Sequence, residues 1–288
     1  MHSYLKAIGI SNLISKRQLS DMVEKLPANQ VFTDKMVYND VEIVEKTARF
    51  GNDFGIIILG TMNGNEFDID YYYPYANGMV MGTFNDLSLE RQIEDYCYKG
   101  VCEDIRVGVS LIFHVQNSFS CFVKRMNGEK ISRCSDICFT GISTDGKILF
   151  PLNIGEQAKK KRVIDNLNRN ILIMAAKQGD ENAIESLTME EFDTNSMINK
   201  RIKEEDVFSI VDSTFIPYGI QCDRYTIIGD IKKVSESVNE VTGEKLYKLV
   251  ITCNDIPITI QINKEDLLGE PLPGRRFKGV IWLQGKIS

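Results

Sequence analysis

Hydrophobic and polar positions repeat with different periods along this chain, and the changes of period divide it into three parts. Over residues 31–75, and again over most of 105–151, the apolar pattern is that of strands, in large part with apolar residues at every second position. Between residues 158 and 205 the spacing lengthens to three and four, as on one face of a helix. After residue 222 the alternation returns. The pattern predicts an α+β fold class with three units: an antiparallel-sheet domain over residues 1–156, a helical connector over 157–221, and a small C-terminal β-barrel (OB-like or SH3-like) over 222–288.

Caps and breakers place the helices within this pattern. Ser15 is a suitable N-cap for a first helix, which Pro27 ends. A second helix is predicted over residues 88–98 from apolar residues at helical spacing. In the connector, Gly179–Asp180 combines a C′ glycine with the N-cap of a following helix. Thr188–Glu191 then matches a capping box and predicts another helix start.

Turn-forming pairs place several of the strands. Asn63–Gly64 and Asp145–Gly146 are each flanked by strand-like segments, so both predict two-residue hairpins. Further strands are predicted over residues 105–115 and 119–125, and a last one over 275–287.

Composition and charge narrow the possible functions. The chain has 288 residues, 43% of them hydrophobic, and a formal net charge of −6 from 34 basic and 40 acidic residues. These values are typical of a folded soluble protein and provide no strongly basic surface for nucleic-acid phosphates. No apolar run approaches the roughly 18 residues of a membrane span, and the first ten residues lack a signal-peptide pattern. The seven cysteines, an odd number, then favour reduced thiols in a cytoplasm.

One candidate binding site combines a basic run with an aromatic side chain of the predicted barrel. Lys159, Lys160, Lys161 and Arg162 are consecutive, and Trp282 lies in the last strand. Cations attract phosphates and aromatic rings stack on bases, so these residues would suit a nucleic-acid partner. The alternative is a solvated linker, because cations oppose the dipole at a helix N-terminus. The barrel region also holds 10 basic against 9 acidic residues, which does not favour nucleic acid.

A second candidate site is the pair Asp68 and Asp70. Because they lie two residues apart in a strand, both carboxylates point to one face and can bind a divalent cation or act as acid and base. The simpler interpretation is a solvated strand face with Phe67, Ile69 and Tyr71 turned inward. The pair specifies no further ligand, so a metal-dependent hydrolase is the weakest of the functional hypotheses.

Catalytic signatures are missing from the rest of the sequence. Of the two histidines, only His114 is central, and its apolar strand predicts a hydrogen-bonded core histidine. No Gly-x-Ser-x-Gly, Walker or Gly-x-Gly-x-x-Gly motif occurs. Cys134 and Cys138 lack a second ligand pair for zinc and are expected to be buried thiols. The sequence therefore predicts no cofactor and favours a non-enzymatic function.

Several segments resemble those of one known family. They are Ala175-Ala-Lys-Gln-Gly-Asp-Glu-Asn-Ala-Ile-Glu-Ser-Leu-Thr-Met-Glu, Asp206-Val-Phe-Ser-Ile-Val-Asp, Ile216-Pro-Tyr-Gly, Asp266-Leu-Leu-Gly-Glu-Pro and Gly279-Val-Ile-Trp-Leu-Gln-Gly. With the opening Met1-His-Ser-Tyr-Leu-Lys-Ala-Ile-Gly, they make the chain similar to the clostridial-type family called domain of unknown function 3881. The resemblance covers the whole chain, most specifically after residue 170. It implies a cytoplasmic bacterial protein and brings no catalytic residues to this chain.

The sequence favours a non-catalytic, cytoplasmic binding or regulatory protein whose partner is another protein. The alternative hypotheses are nucleic-acid binding through the barrel and Lys159–Arg162, and, more weakly, the metal-dependent hydrolase. No membrane partner is expected.

Overall fold

The computed structural model describes most of the chain, and that part is mostly β with few helices. The described residues are 2–12, 15–64, 66–84, 86–91, 97–104, 109–129, 132, 135–151, 168–169, 171–176, 178–189 and 213–288. The basic run Lys159–Arg162 lies outside these ranges. No helix within them is both long enough and apolar enough to cross a membrane.

Four consecutive strands form an antiparallel sheet, the first of two sheets. They are β1 (Val31–Tyr38), β2 (Val41–Arg49), β3 (Phe54–Asn63) and β4 (Glu66–Ala76). Each strand pairs with the next one in sequence. Gly64 adopts a φ of +63° in the turn between β3 and β4, which confirms the hairpin predicted there. The antiparallel sheet predicted for the N-terminal part is present.

Within the described residues the second sheet has eleven strands, and they come from both halves of the chain. Its strands are β5 (Met81–Phe84), β6 (Ser88–Arg91), β7 (Tyr98–Asp104), β8 (Val109–Val115), β9 (Ser135–Leu149), β10 (Thr214–Pro217), β11 (Arg224–Val238), β12 (Lys245–Cys253), β13 (Ile256–Asn263), β14 (Leu267–Leu268) and β15 (Arg276–Ile287). The main order is β10-β11-β12-β13-β9-β15-β8-β7-β6, and β5 and β14 pair with β9.

Five of these strands pair in a closed cycle. β11 pairs with β12, β12 with β13, β13 with β9, β9 with β15, and β15 pairs back with β11. The β13–β9 pairing is parallel and the other four are antiparallel. β9 precedes the predicted connector in sequence, whereas the other four strands follow it. Strands from both sides of the connector therefore belong to one sheet.

Three local predictions are wrong. β6 occupies residues 88–91, where a helix was predicted, because these residues pair with β7. Residues 119–125 belong to helix α2 (Ser118–Met126) instead of a strand. Its Phe119 and Phe122 lie three residues apart and are both buried, and Phe122 packs edge-on against Tyr38 at 5.5 Å between ring centroids. The predicted hairpin at Asp145–Gly146 is also absent, because β9 continues through these residues while pairing with β15.

The remaining helices agree better with the sequence. Helix α1 (Lys16–Glu24) has Ser15 as N-cap, and Gln18 completes a capping box with it. Short 3-10 helices lie at His2–Ile8, Ala28–Gln30 and Lys264–Asp266.

In the connector, residues 171–176 and 181–189 are helical, and most of the other residues lie outside the described ranges. Asp180 accepts hydrogen bonds from the backbone N–H of Asn182 at 3.0 Å and of Ala183 at 3.2 Å, so it is the N-cap that the sequence predicts. Thr188 lies inside the helix, where its hydroxyl donates to the Ile184 carbonyl at 2.8 Å. Glu191, the other half of the predicted capping box, lies outside the described residues.

The two sheets meet through a buried layer that includes polar side chains. Tyr73 of β4 donates its hydroxyl to the Gln116 carbonyl at 3.1 Å, and Gln284 of β15 donates to the Pro74 carbonyl at 2.9 Å. Gln116 donates to the Ala76 carbonyl at 2.9 Å. Gln284 and Gln116 thus satisfy two backbone carbonyls of β4, Tyr73 satisfies the Gln116 carbonyl in return, and the three hydrogen bonds hold the first sheet on the second.

Candidate functional site

An apolar segment is exposed at one edge of the second sheet. β10 pairs with β11, and no other strand of the described part of the chain pairs with it. From its third residue onward the chain exposes Ile216 (56%), Tyr218 (49%) and Ile220 (104%). We call residues 216–220 the edge segment. Contiguous exposed apolar side chains at an unpaired sheet edge are typical of interaction sites.

Local sequence explains why this segment turns outward. Phe215 is buried against Tyr225, with 4.6 Å between ring centroids, and so anchors the start of the segment. Pro217 has no N–H to offer to a further strand, and Gly219 takes a φ of +69° that suits a turn. The Tyr218 N–H donates to the Arg224 carbonyl at 2.8 Å and closes the turn. The buried Phe215 and the hydrogen bond at Tyr218 thus fix the backbone so that the apolar side chains of the edge segment face solvent.

A thiol, an amine and a carboxylate meet directly behind this turn. Lys99 of β7 places its Nζ 3.1 Å from Cys222 Sγ and 3.6 Å from Asp223 Oδ2. Trp282 of β15 donates its indole N–H to the same carboxylate oxygen at 3.0 Å. Cys222 is exposed, whereas Asp223 and Trp282 are buried. We call Lys99, Cys222 and Asp223 the thiol–lysine cluster.

Electrostatics within the cluster favour a charged lysine. Partial burial lowers the pKa of Lys99, but the Cys222 hydrogen bond and the Asp223 charge outweigh that effect and raise it overall. In the resting cluster Lys99 is therefore an ammonium group paired with Asp223. It is held in place but remains 23% exposed.

His114 lies behind the cluster, opposite Lys99 in the β7–β8 ladder. Its ring packs against Tyr73, at 4.4 Å between centroids, and against Trp282 at 5.1 Å. Burial lowers its pKa to about 4; Asp223 counteracts this shift and Lys99 adds to it. The imidazole is therefore neutral at pH 7 and inaccessible to a solvent-borne substrate. His114 is thus buried in the core as predicted, and its Nε2 has no hydrogen-bond partner in the part of the chain described.

Of the residues predicted for nucleic-acid binding, Trp282 is the one that lies within the described ranges. Trp282 is only 4% exposed, and Tyr4 contacts its ring at 5.4 Å between centroids. Its face is therefore covered by the protein's own aromatic side chains. Lys159, Lys160, Lys161 and Arg162 lie outside the described residues.

Asp68 and Asp70 occupy the solvent side of β4. Both are exposed, while Phe67, Ile69 and Tyr71 are partly buried. This is the alternation that the sequence predicts for a solvated strand face. Within the described residues no group of three or more histidine, cysteine, aspartate or glutamate side chains could hold a metal ion.

The thiol–lysine cluster was not identified from the sequence. Lys99 and Cys222 are separated by 123 residues, so no local spacing connects them. A weak signal was available in the turn residues Pro217 and Gly219, which predict that the following cysteine lies near the surface.

Comparison with known protein families identifies a match. The model of the family described as "Domain of unknown function, E. rectale Gene description (DUF3881)" matches residues 5–285, nearly the whole chain. Neither the curated proteins nor the solved structures contain a match.

Proposed function

The chain belongs to the family described as domain of unknown function 3881, and we propose that it is a non-catalytic binding or regulatory protein of the bacterial cytoplasm whose partner is another protein. The observation that carries this proposal is the edge segment, where Ile216, Tyr218 and Ile220 are exposed beside an unpaired strand.

The chemistry of the edge segment suits a protein partner. Aliphatic and tyrosine side chains that lose water on contact are typical of the centres of protein interfaces. The net charge of −6 disfavours a phosphate backbone and does not hinder an apolar protein surface. Pro217 limits simple sheet extension along β10, so side-chain packing is expected to provide most of the affinity.

A second part of the proposal concerns the architecture. The closed cycle of β11, β12, β13, β9 and β15 is consistent with a small OB-like barrel, in which β9 is contributed from the N-terminal side of the connector. The division into residues 1–156, 157–221 and 222–288 stays a prediction. Because β9 pairs with β13 and β15, we expect the C-terminal unit to need β9 as well.

The outer face of β12 and β13 supports the protein partner over nucleic acid. If β11 is the first strand of an OB-like barrel, β12 and β13 form the face that usually binds oligonucleotides. Here Lys248 of β12 forms an ion pair with Asp53 at 3.0 Å, and Asn263 of β13 donates to the Lys6 carbonyl at 3.3 Å. Gln261 between them is fully buried. The N-terminal part of the chain covers this face.

Affinity capture with matched variants tests the proposal. Wild-type protein, Ile220→Glu and Val37→Glu would be used to capture partners from an extract of the source cells, and bound proteins and nucleic acids would be quantified. Val37 is a suitable control because it is 66% exposed on β1 of the other sheet. A hot-spot residue is worth at least about 2 kcal/mol, so Ile220→Glu should reduce retention more than tenfold while Val37→Glu does not.

Two results would contradict the protein-partner proposal. One is equal retention by all three proteins. The other is salt-sensitive nucleic acid as the main captured species, which would favour the nucleic-acid hypothesis. Stoichiometric metal that is lost in an Asp68→Asn/Asp70→Asn variant would instead support the hydrolase hypothesis.

A further inference from the structure

We propose that Cys222 and Lys99 form a reversible covalent cross-link under oxidation, in which a peroxide converts the thiol to a sulfenic acid and the lysine amine then closes a sulfur–nitrogen bond. The proposal does not depend on the function of the edge segment. It assigns a modification site to two side chains that come from distant parts of the chain.

The first argument is that the two reacting atoms are already held in place. Cys222 Sγ and Lys99 Nζ are 3.1 Å apart. Asp223 contacts the same Nζ at 3.6 Å, and Trp282 fixes Asp223 through a hydrogen bond of 3.0 Å. Because strands β7 and β15 supply these supports, the amine stays near the sulfur without a conformational change. Holding two groups at contact distance strongly accelerates a bond-forming step.

The second argument is selectivity among the cysteines. Of the six cysteines in the described ranges, Cys222 is exposed and the other five are buried. Burial also raises the pKa of the Cys121 and Cys138 thiols, and that of Cys253 to about 12. Oxidation by a peroxide follows exposure and thiolate character, so Cys222 is the described cysteine most open to it.

The chemistry balances with a peroxide as the only co-reactant. In the first step the sulfur loses two electrons and the O–O bond of hydrogen peroxide breaks, which gives a sulfenic acid and water. In the second step the Lys99 amine attacks the oxidised sulfur, the S–O bond breaks, and water and one proton leave. Sulfenic acids are known to condense with nitrogen nucleophiles in this way. Two equivalents of an external thiol return the thiol and amine and leave as a disulfide.

Lys99 must lose its proton before the second step, because only the neutral amine is a nucleophile. Partial burial lowers the pKa of Lys99, but the Cys222 hydrogen bond and the Asp223 charge outweigh it and raise that pKa overall, so only a small fraction of the amine is neutral at pH 7. The proton leaves to water at the exposed side of the turn, and the cross-link should form faster as pH rises.

The cross-link would connect β7 to the turn before β11. Lys99 lies on β7, and Cys222 follows the edge segment by two residues. A covalent bond here restricts the backbone next to Ile220. The oxidation state would therefore be expected to alter the mobility of the edge segment.

Mass spectrometry of the purified full-length protein tests the proposal. After treatment with hydrogen peroxide, wild-type protein should lose about 2 Da, the mass of two hydrogen atoms, as expected for condensation of a sulfenic acid with an amine. Proteolysis should yield one linked peptide pair that contains Lys99 and Cys222. Dithiothreitol should restore the original mass.

Matched variants separate the two steps. Lys99→Arg keeps the cation but removes the amine nucleophile, so it should accumulate a sulfenic acid of about +16 Da that reacts with dimedone. Cys222→Ser should form neither product. The proposal is overturned if wild-type protein shows the +16 Da species or a disulfide at Cys222 without a Lys99-linked peptide. That result is decisive even where a variant folds poorly, because it is measured on the wild type.

Discussion

Two glycines that follow a turn-forming residue show how differently the two sheets are built. Gly64 follows Asn63 in the first sheet, adopts a φ of +63°, and has no atom within 4 Å of where a Cβ would stand. Gly146 follows Asp145 in the second sheet and lies in the middle of β9. A Cβ there would meet the Phe277 ring at 2.5 Å. Position 64 requires glycine because its backbone is left-handed, and position 146 requires it because a neighbouring ring leaves no room for a Cβ.

The contrast extends to the sheets themselves. In the first sheet every strand pairs with its neighbour in sequence, so short turns determine the pairing. In the second, β9 pairs with β13 and β15, which follow it by more than a hundred residues. Local turn residues therefore determine the strand pairing in the first sheet, whereas long-range strand pairing overrides them in the second.

The largest effect is expected from removing β9. Residues 222–288 expressed alone lack one of the five strands in the closed cycle, so β13 and β15 would each expose an unpaired edge. We expect no cooperative thermal unfolding of this fragment by circular dichroism. A fragment of residues 132–288 contains all five strands and should unfold cooperatively. A cooperative transition in residues 222–288 would show that the cycle is not needed for folding.

The next largest effect concerns a buried carboxyl in the first sheet. Burial, with a smaller effect of Asp34, raises the pKa of Glu45 to about 8 from 4.5. Between these values the unfolded chain has lost a proton that the folded protein keeps, so stability should fall as pH rises. The stability contributed by Glu45 is fully present below about pH 4.5 and lost by about pH 8. Between these values the free energy of unfolding falls by up to about 1.4 kcal/mol per pH unit. Glu45→Gln should remove that slope in urea unfolding measured across this range. An unchanged slope would contradict the assignment.

A smaller loss of stability is expected for Gly146→Ala. The added methyl group would press on the Phe277 ring, and such overpacking costs about 1–3 kcal/mol. Shortening the neighbour in a Gly146→Ala/Phe277→Leu variant should offset part of this loss, because the two residues are in contact. A double-mutant cycle from denaturant unfolding measures the coupling. Additive effects would mean that the Phe277 ring is not what excludes a side chain at position 146.

The smallest effect is expected for Gly64→Ala. The site has space for a methyl group but a left-handed backbone, so the cost is strain of about 1–2 kcal/mol. Gly64→Asn should cost less, because asparagine tolerates this conformation. Equilibrium unfolding of both variants gives the comparison. If asparagine is as harmful as alanine, space and not backbone strain limits the position.

The sequence was sufficient where the decisive interactions are local. The N-cap at Ser15, the hairpin at Gly64 and the N-cap at Asp180 each depend on a few neighbouring residues, and all three were predicted. The outward orientation of Asp68 and Asp70 followed from strand alternation alone. Such features need only φ preferences, side-chain caps and a two-residue period.

Tertiary structure decided what those local rules leave open. It made residues 118–126 a helix, continued β9 through Asp145–Gly146, and covered Trp282 with other aromatic rings. It also placed Lys99 against Cys222 from 123 residues away. Periodicity records which side chains are apolar but not which distant strand they will meet. The partner strand therefore sets both the register and the chemistry of the candidate site, and only the folded chain specifies that partner.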